Sequence, residues 1–199
     1  MTRQLIVVDT ETTGLNPNSA AILEIAAVNV ATGEEVRFVP YVSAEQLAEA
    51  SPEALHVNRY YERALFREML LSEATSRAFT DLAVMLQGNT FAGSNPSFDA
   101  ALVRRYPQPE FVTGCWVHPM GEVWHHRLAD LAAYAGPALL LAPNELVGLK
   151  QVCDALDVEM DGEHTALGDA RATAECFRKL QGYYAHNLDS LPSRVGGAA

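Results

Sequence analysis

Four aliphatic residues, Leu5-Ile6-Val7-Val8, three of them β-branched, run directly into Asp9-Thr10-Glu11. A continuous apolar run of this kind suits a central strand covered on both faces, so the chain has to supply a layer on either side of it. Side chains alternate along a strand, which places Asp9 and Glu11 on the same face at its end. Two carboxylates held there repel each other unless a cation lies between them. An isolated acidic pair also fits a strand end that turns into solvent. Thr12-Thr13-Gly14, immediately after it, weighs toward a site, because a turn of small residues lets another molecule approach the backbone closely.

The remainder of the chain reads as the required layers. Strands are expected over residues 25–30 and 35–42, joined by the turn signal Thr32-Gly33, so the chain opens with a β-meander. Helices are expected over 44–50, 52–59 and 72–86, the second announced by Ser51 as N-cap and Pro52 in the first turn. A short strand over 90–92 leads to Asn95-Pro96, the same capping grammar, and a helix to about residue 106. Segment 107–126 has its periodicity broken by Pro107, Pro109, Gly114, Pro119 and Gly121. A last strand near 127–131 and helices over 145–156 and 166–184 complete an α/β chain, a mixed five-stranded sheet flanked by helices on both faces.

At 199 residues one compact domain is expected over 1–187, with 188–199 as a flexible C-terminal tail containing Gly196-Gly197. No apolar run is long enough to span a membrane and the start turns acidic too early for a signal peptide, so a cytoplasmic location without a membrane partner is expected. Cys115, Cys153 and Cys176 form no C-x-x-C pair and are expected as reduced thiols. With 25 acidic against 14 basic residues, the net charge of −11 excludes a protein that coats nucleic acid through a general basic surface. It does not exclude a nucleic-acid substrate held at one point.

Two more carboxylates stand out. Asp99 falls in the first turn of its helix, where its charge favours the helix dipole. In His164-Thr165-Ala166-Leu167-Gly168-Asp169, five residues of helix rotate by about 500°, leaving His164 and Asp169 about 140° apart. The two converge only if His164 lies on the loop or first turn before the helix.

The ordered set Val7-Val8-Asp9-Thr10-Glu11-Thr12-Thr13-Gly14-Leu15, Asn95-Pro96-Ser97-Phe98-Asp99 and His164-x-Ala166-x-x-Asp169-Ala170 resembles the three motifs of the DnaQ-like (DEDDh) 3′→5′ exonucleases. Those enzymes carry four acidic residues and a histidine on a ribonuclease H-like fold. The resemblance spans about residues 3–182, and order and spacing together are more specific than any one motif. It implies two divalent cations, Mg²⁺ or Mn²⁺, which suit hard oxygen ligands. Asp9 would bridge them, Glu11 and Asp169 would complete the nucleophile side, and Asp99 would hold the leaving-group ion. His164 would be the general base, a role suited to an unperturbed pKa near 6.5.

The resemblance further implies a hold on the 3′-terminal nucleotide by the backbone amides of Thr12 and Thr13, with Leu15 packing on its base. Val57, Asn58 and Arg59 match a family segment that wedges the last bases apart, with Asn58 in place of a histidine and Arg59 in place of a glycine; His56 serves under a shifted alignment. Arg59, Tyr60, Tyr61, Arg63 and Arg67 suit a single strand by stacking and phosphate contact, and equally suit an exposed helix with ordinary ion pairs. Cys115, His118, His125 and His126 contain donors for zinc but no second cysteine pair. The expected substrate is a DNA 3′ end, single-stranded or frayed, with RNA as the alternative and an idle accessory subunit as the alternative of another class. The short C-terminus suggests a free-standing enzyme over a polymerase-bound one, with a polymerase or repair partner left open.

Overall fold

The computed structural model describes residues 2–106, 111–112, 115–116, 122–162 and 164–187, with 111–112 and 115–116 described by their backbone alone. Strands β1 (Leu5–Thr12), β2 (Ile22–Asn29), β3 (Glu35–Phe38), β4 (Thr90–Gly93) and β7 (Ala129–Asp130) form one sheet in the order β3-β2-β1-β4-β7. The β1–β2 and β2–β3 pairs are antiparallel, and β1–β4 and β4–β7 are parallel. The short β5 (Phe111–Val112) and β6 (Cys115–Trp116) pair separately. The helices are α1 (Ala44–Ala48), α2 (Pro52–Val57), α3 (Ser72–Leu86), α4 (Pro96–Arg104), α5 (Leu131–Leu139), α6 (Leu149–Leu156) and α7 (Ala166–His186). This is the mixed five-stranded α/β sheet that the sequence predicts.

Alternation along β1 divides the core. Val7 packs with Ala26 and Val28 of β2 against α5, α6 and α7, while Ile6 and Val8 pack with Ile25 and Ala27 against α3 and α4. The parity of Val7 continues to Asp9 and Glu11, which therefore face α7. The parity of Val8 continues to Thr10, which faces α4. Between Glu11, opposite Glu24, and Thr12, opposite Ile22, the β1–β2 register shifts, an irregularity of the kind that re-aims side chains at a sheet margin. A third cluster, built from Leu23, Val39, Val42, Tyr60 and Leu65, fastens the 58–65 segment to the sheet edge.

The elements depart from expectation at their ends. The second strand begins at Ile22, not residue 25, because Glu24 is accommodated inside it at 1% exposure. The third stops at Phe38, two residues before Pro40, which has no amide to donate to a ladder. The sixth helix begins at Leu149 after Gly148, four residues later than expected. Asn95 does occupy the N-cap of α4, but in a left-handed conformation without a side-chain capping bond; its Oδ1 accepts from the Ser97 hydroxyl at 2.9 Å. Cys153 and Cys176, distant in sequence, are buried free thiols whose sulfurs lie 3.6 Å apart between α6 and α7. The expected tail over 188–199 lies outside the described residues.

Candidate active site

The face of β1 that carries Asp9 and Glu11 meets the first turn of α7. There Asp9, Glu11 and Asp169 each present a carboxylate oxygen within 4.8 Å of the other two. Their surroundings make this costly for bare carboxylates. Burial, followed by the charges of Asp99, Glu11, Asp169 and Glu24, holds Asp9 well above the ordinary carboxylate range. Glu11 is pushed up to about 7, first by burial and then by Asp169 and Glu24, with Arg63 pulling the other way. A divalent cation would neutralise the cluster, and an all-oxygen donor set of this kind fits Mg²⁺ or Mn²⁺.

Asp99 approaches from the opposite layer. It is buried in the first turn of α4, and one of its oxygens accepts from the Thr10 hydroxyl at 2.6 Å. Burial raises it to about 7 against the opposing pull of that hydrogen bond. After burial, Asp99 is the strongest charge acting on Asp9, yet it stands outside the three-oxygen group. The four acids thus arrive from three elements, with β1 carrying two of them, and form a nucleus of three with a fourth beside it.

His164 satisfies the condition set by the helical rotation. It is exposed in the turn before α7 at φ 60°, and Thr165, not His164, caps the helix by accepting from the Gly168 amide. Gly168 is obligatory by contact: a Cβ there would lie 2.6 Å from the Gly162 carbonyl and closer still to that of Asp161. The turn carrying the histidine therefore presses directly on α7 one residue before Asp169.

Two residues organise this corner: Glu24, which sequence reading did not assign to the site, and Arg63, which it placed only in the basic-aromatic patch. Glu24 Oε2 accepts from Arg63 Nη2 at 2.6 Å and from the Ala166 amide at 3.2 Å, while its Oε1 accepts from Arg37 Nε at 2.7 Å. Arg63 Nη1 donates at 3.2 Å to the carbonyls of both Asn58 and His164. The available signal for Glu24 was a lone carboxylate inside the otherwise apolar Ile22-Leu23-Glu24-Ile25-Ala26-Ala27 run, a pattern that demands a buried partner.

Beside the acids lies a cavity of about 310 Å³, lined by Glu11, Thr12, Leu15, Val57, Asn58 and Phe98 among others. Leu15 is 91% exposed at its mouth. Asn58 is buried and spends its amide on the Thr12 carbonyl at 2.8 Å, so it braces the cavity wall. A larger groove of about 480 Å³, lined by Glu35, Arg171, Glu175 and Lys179 among others, does not include any of the acids that cluster around Asp9.

Several sequence expectations need correction. The Thr13 amide is not open to a ligand: it donates to the Ala21 carbonyl at 2.9 Å, and its hydroxyl accepts from the Ala21 amide, so Thr13 closes the turn. Arg59 is exposed at φ 51° and does not line the cavity. The basic-aromatic patch divides: Tyr60 is core and Arg63 is committed to Glu24, while Tyr61 and Arg67 remain on the surface, Arg67 lying over the ring of Phe66, which was not part of the expected patch. His118 and the Cys115 side chain lie outside the described residues. The His125 and His126 rings lie with centroids 4.2 Å apart, tilted by 38°.

Residues 6–177 match the RNase_T family, described as Exonuclease. No curated protein matches the chain. Among solved structures, Escherichia coli exonuclease I in complex with a dT13 oligonucleotide aligns at 17% identity with a TM-score of 0.70, over 95% of this chain and 43% of that one. Exonuclease I from Methylocaldum szegediense aligns at 18% identity with a TM-score of 0.67, over 95% of this chain and 42% of that one. The E. coli enzyme with a dA16 oligonucleotide aligns at 17% and 0.65, over 96% and 46%. This chain spans less than half the length of these structures, and at such identities the likeness establishes a shared ribonuclease H-like fold. The match over residues 6–177 goes further: the chain belongs to the RNase_T exonuclease family, the DnaQ-like 3′→5′ exonucleases.

Proposed function

We infer that this protein is a divalent-metal-dependent 3′→5′ exonuclease that releases nucleoside 5′-monophosphates from single-stranded or frayed DNA ends. The observation that carries the reading is the convergence of the Asp9, Glu11 and Asp169 carboxylates, with oxygens within 4.8 Å of one another, beside a cavity that opens at an exposed leucine. Asp9, Glu11 and Asp169 would hold one Mg²⁺ or Mn²⁺, and Asp9 with Asp99 a second. When bound, such ions supply charge on the phosphoryl oxygens and an acidified water.

The chain's own residues do the rest. His164, exposed on its turn, takes the proton of the attacking water on an imidazole nitrogen, a contribution of about 10²- to 10⁴-fold for a general base. Leu15 and Val57 offer apolar surface to the terminal base, while Thr12 lines the cavity that receives the terminal nucleotide. The Asn58 side chain fixes the backbone of that wall through the Thr12 carbonyl. Preference for DNA is supported by relatives crystallised with dT13 and dA16.

The test is competition between matched 5′-labelled single-stranded DNA, duplex DNA and RNA at equal concentration with Mg²⁺. Single-stranded DNA is expected to shorten first, from its 3′ end. Faster loss of RNA would reassign the protein as an exoribonuclease, and loss of none, with the fold intact, would leave it an accessory binding subunit.

A further inference from the structure

His164 stands in a backbone conformation that disfavours any residue with a Cβ, at φ 60°. Such a conformation persists only where its surroundings hold it. Thr165 fixes the residue after it, with its hydroxyl donating to the Gly162 carbonyl at 2.7 Å and accepting from the Gly168 amide. The His164 peptide itself is held through its carbonyl by Arg63 Nη1. Arg63 is in turn gripped by Glu24, a carboxylate at 1% exposure that also accepts from the Ala166 amide, two residues beyond the histidine. A guanidinium can serve both ends at once because its nitrogens are fixed in a planar fork.

The same Nη1 also donates to the Asn58 carbonyl, and Asn58 holds the Thr12 carbonyl on the cavity wall. One side chain therefore joins the turn that bears the histidine to the wall beside Glu11. The segment around it is otherwise anchored by Tyr60 and Leu65, both buried in the small third core.

We propose that Arg63, seated on Glu24, is a positioning residue: it holds His164 at the distance and angle to the carboxylate cluster that proton abstraction requires. This rests on the reading of His164 as general base. Arg63 is half-buried and spends Nη1 on the Asn58 and His164 carbonyls and Nη2 on Glu24, so its hold on the histidine's turn runs through bonds within the protein.

The experiment is a double-mutant cycle on the full chain, with steady-state release of nucleotide from single-stranded DNA in Mg²⁺ and melting temperature recorded for each variant. R63M is expected to lower kcat by about 10- to 100-fold, the scale of a roughly 1 Å misplacement of a reacting group. Its KM should stay within about twofold, because the removed group does not act on bound substrate directly. In the H164Q background, R63M should cost less than about twofold more, since residues that act as a unit are not additive. R63K, which keeps a cation against Glu24 but offers one nitrogen in place of two, goes through the same cycle and carries it if R63M does not fold.

Equal losses from the Arg63 variants in both backgrounds, or a loss confined to KM, would overturn the positioning role while leaving the histidine's role intact. H164Q turning over at the wild-type rate would overturn the general-base reading and the proposal with it.

Discussion

Glu11 and Asp99 both sit near 7 through burial, far above an exposed carboxylate. A carboxylate whose folded-state pKa is raised stabilises the fold while protonated, and that stability is lost as pH rises from the unfolded value through the folded one. For Glu11 the window runs from about 4.5 to about 7. In EDTA, E11Q removes this burden: its melting temperature should match the wild type near pH 4 and exceed it at pH 8. The gain at pH 8 corresponds to roughly 3 kcal/mol, on the order of 6–12 °C for a domain of this size. Circular dichroism melts in EDTA check this, and a lower Tm for E11Q at pH 8 would contradict it. Mg²⁺ should narrow the difference by stabilising the wild type. The acids and His164 stood out in the sequence through the joint order and spacing of three motifs that resemble a known family; each alone fits an ordinary strand end or helix start. The pairing of Glu24 with Arg63 did not, because the lone carboxylate in an apolar run calls for a buried partner without saying which, and that partner lies 39 residues away.

The elements that matter most are β1 and the start of α7. The end of β1 was readable from its unbroken apolar run and its parity, and the register shift after Glu11 does not disturb either. The interior of β2 was misjudged at Glu24, since a charge ends an apolar run on paper but not where two arginines meet it. The Thr13 amide looked available in sequence, and only the pairing of the 13–21 loop shows that Ala21 takes it. At α7, Gly168 allows the turn bearing Asp161, Gly162 and Thr165 to lie flush on the helix. G168A should push that turn and His164 away from Asp169, lowering kcat by about 10-fold or more with KM little changed. Overpacking of this kind also costs about 1–3 kcal/mol of stability, visible as a reduced Tm. An alanine variant with wild-type kcat would show that the turn is not held by this contact.

Across the whole molecule, a net charge of −11 is compatible with a nucleic-acid substrate because the negative charge includes the buried acids that call for cations. Among the described residues no helix is long and apolar enough to cross a membrane. Several arginines are engaged within the protein, as Arg63 is with Glu24 and Arg105 is with the carbonyls of Pro17 and Ala20. Under the proposed function, the substrate would be held at one terminus by cations on the carboxylate cluster and by the adjoining cavity, not along a basic face. The most direct measurement is the digestion of a 5′-labelled single-stranded DNA with Mn²⁺ or with EDTA, comparing wild type with D9N. Wild type with Mn²⁺ should give a ladder that shortens stepwise from the 3′ end with release of nucleoside 5′-monophosphates, while EDTA or D9N should abolish it. Digestion that survives EDTA or the loss of Asp9, or that proceeds from the 5′ end, would contradict the assignment of the carboxylate cluster as the catalytic metal site.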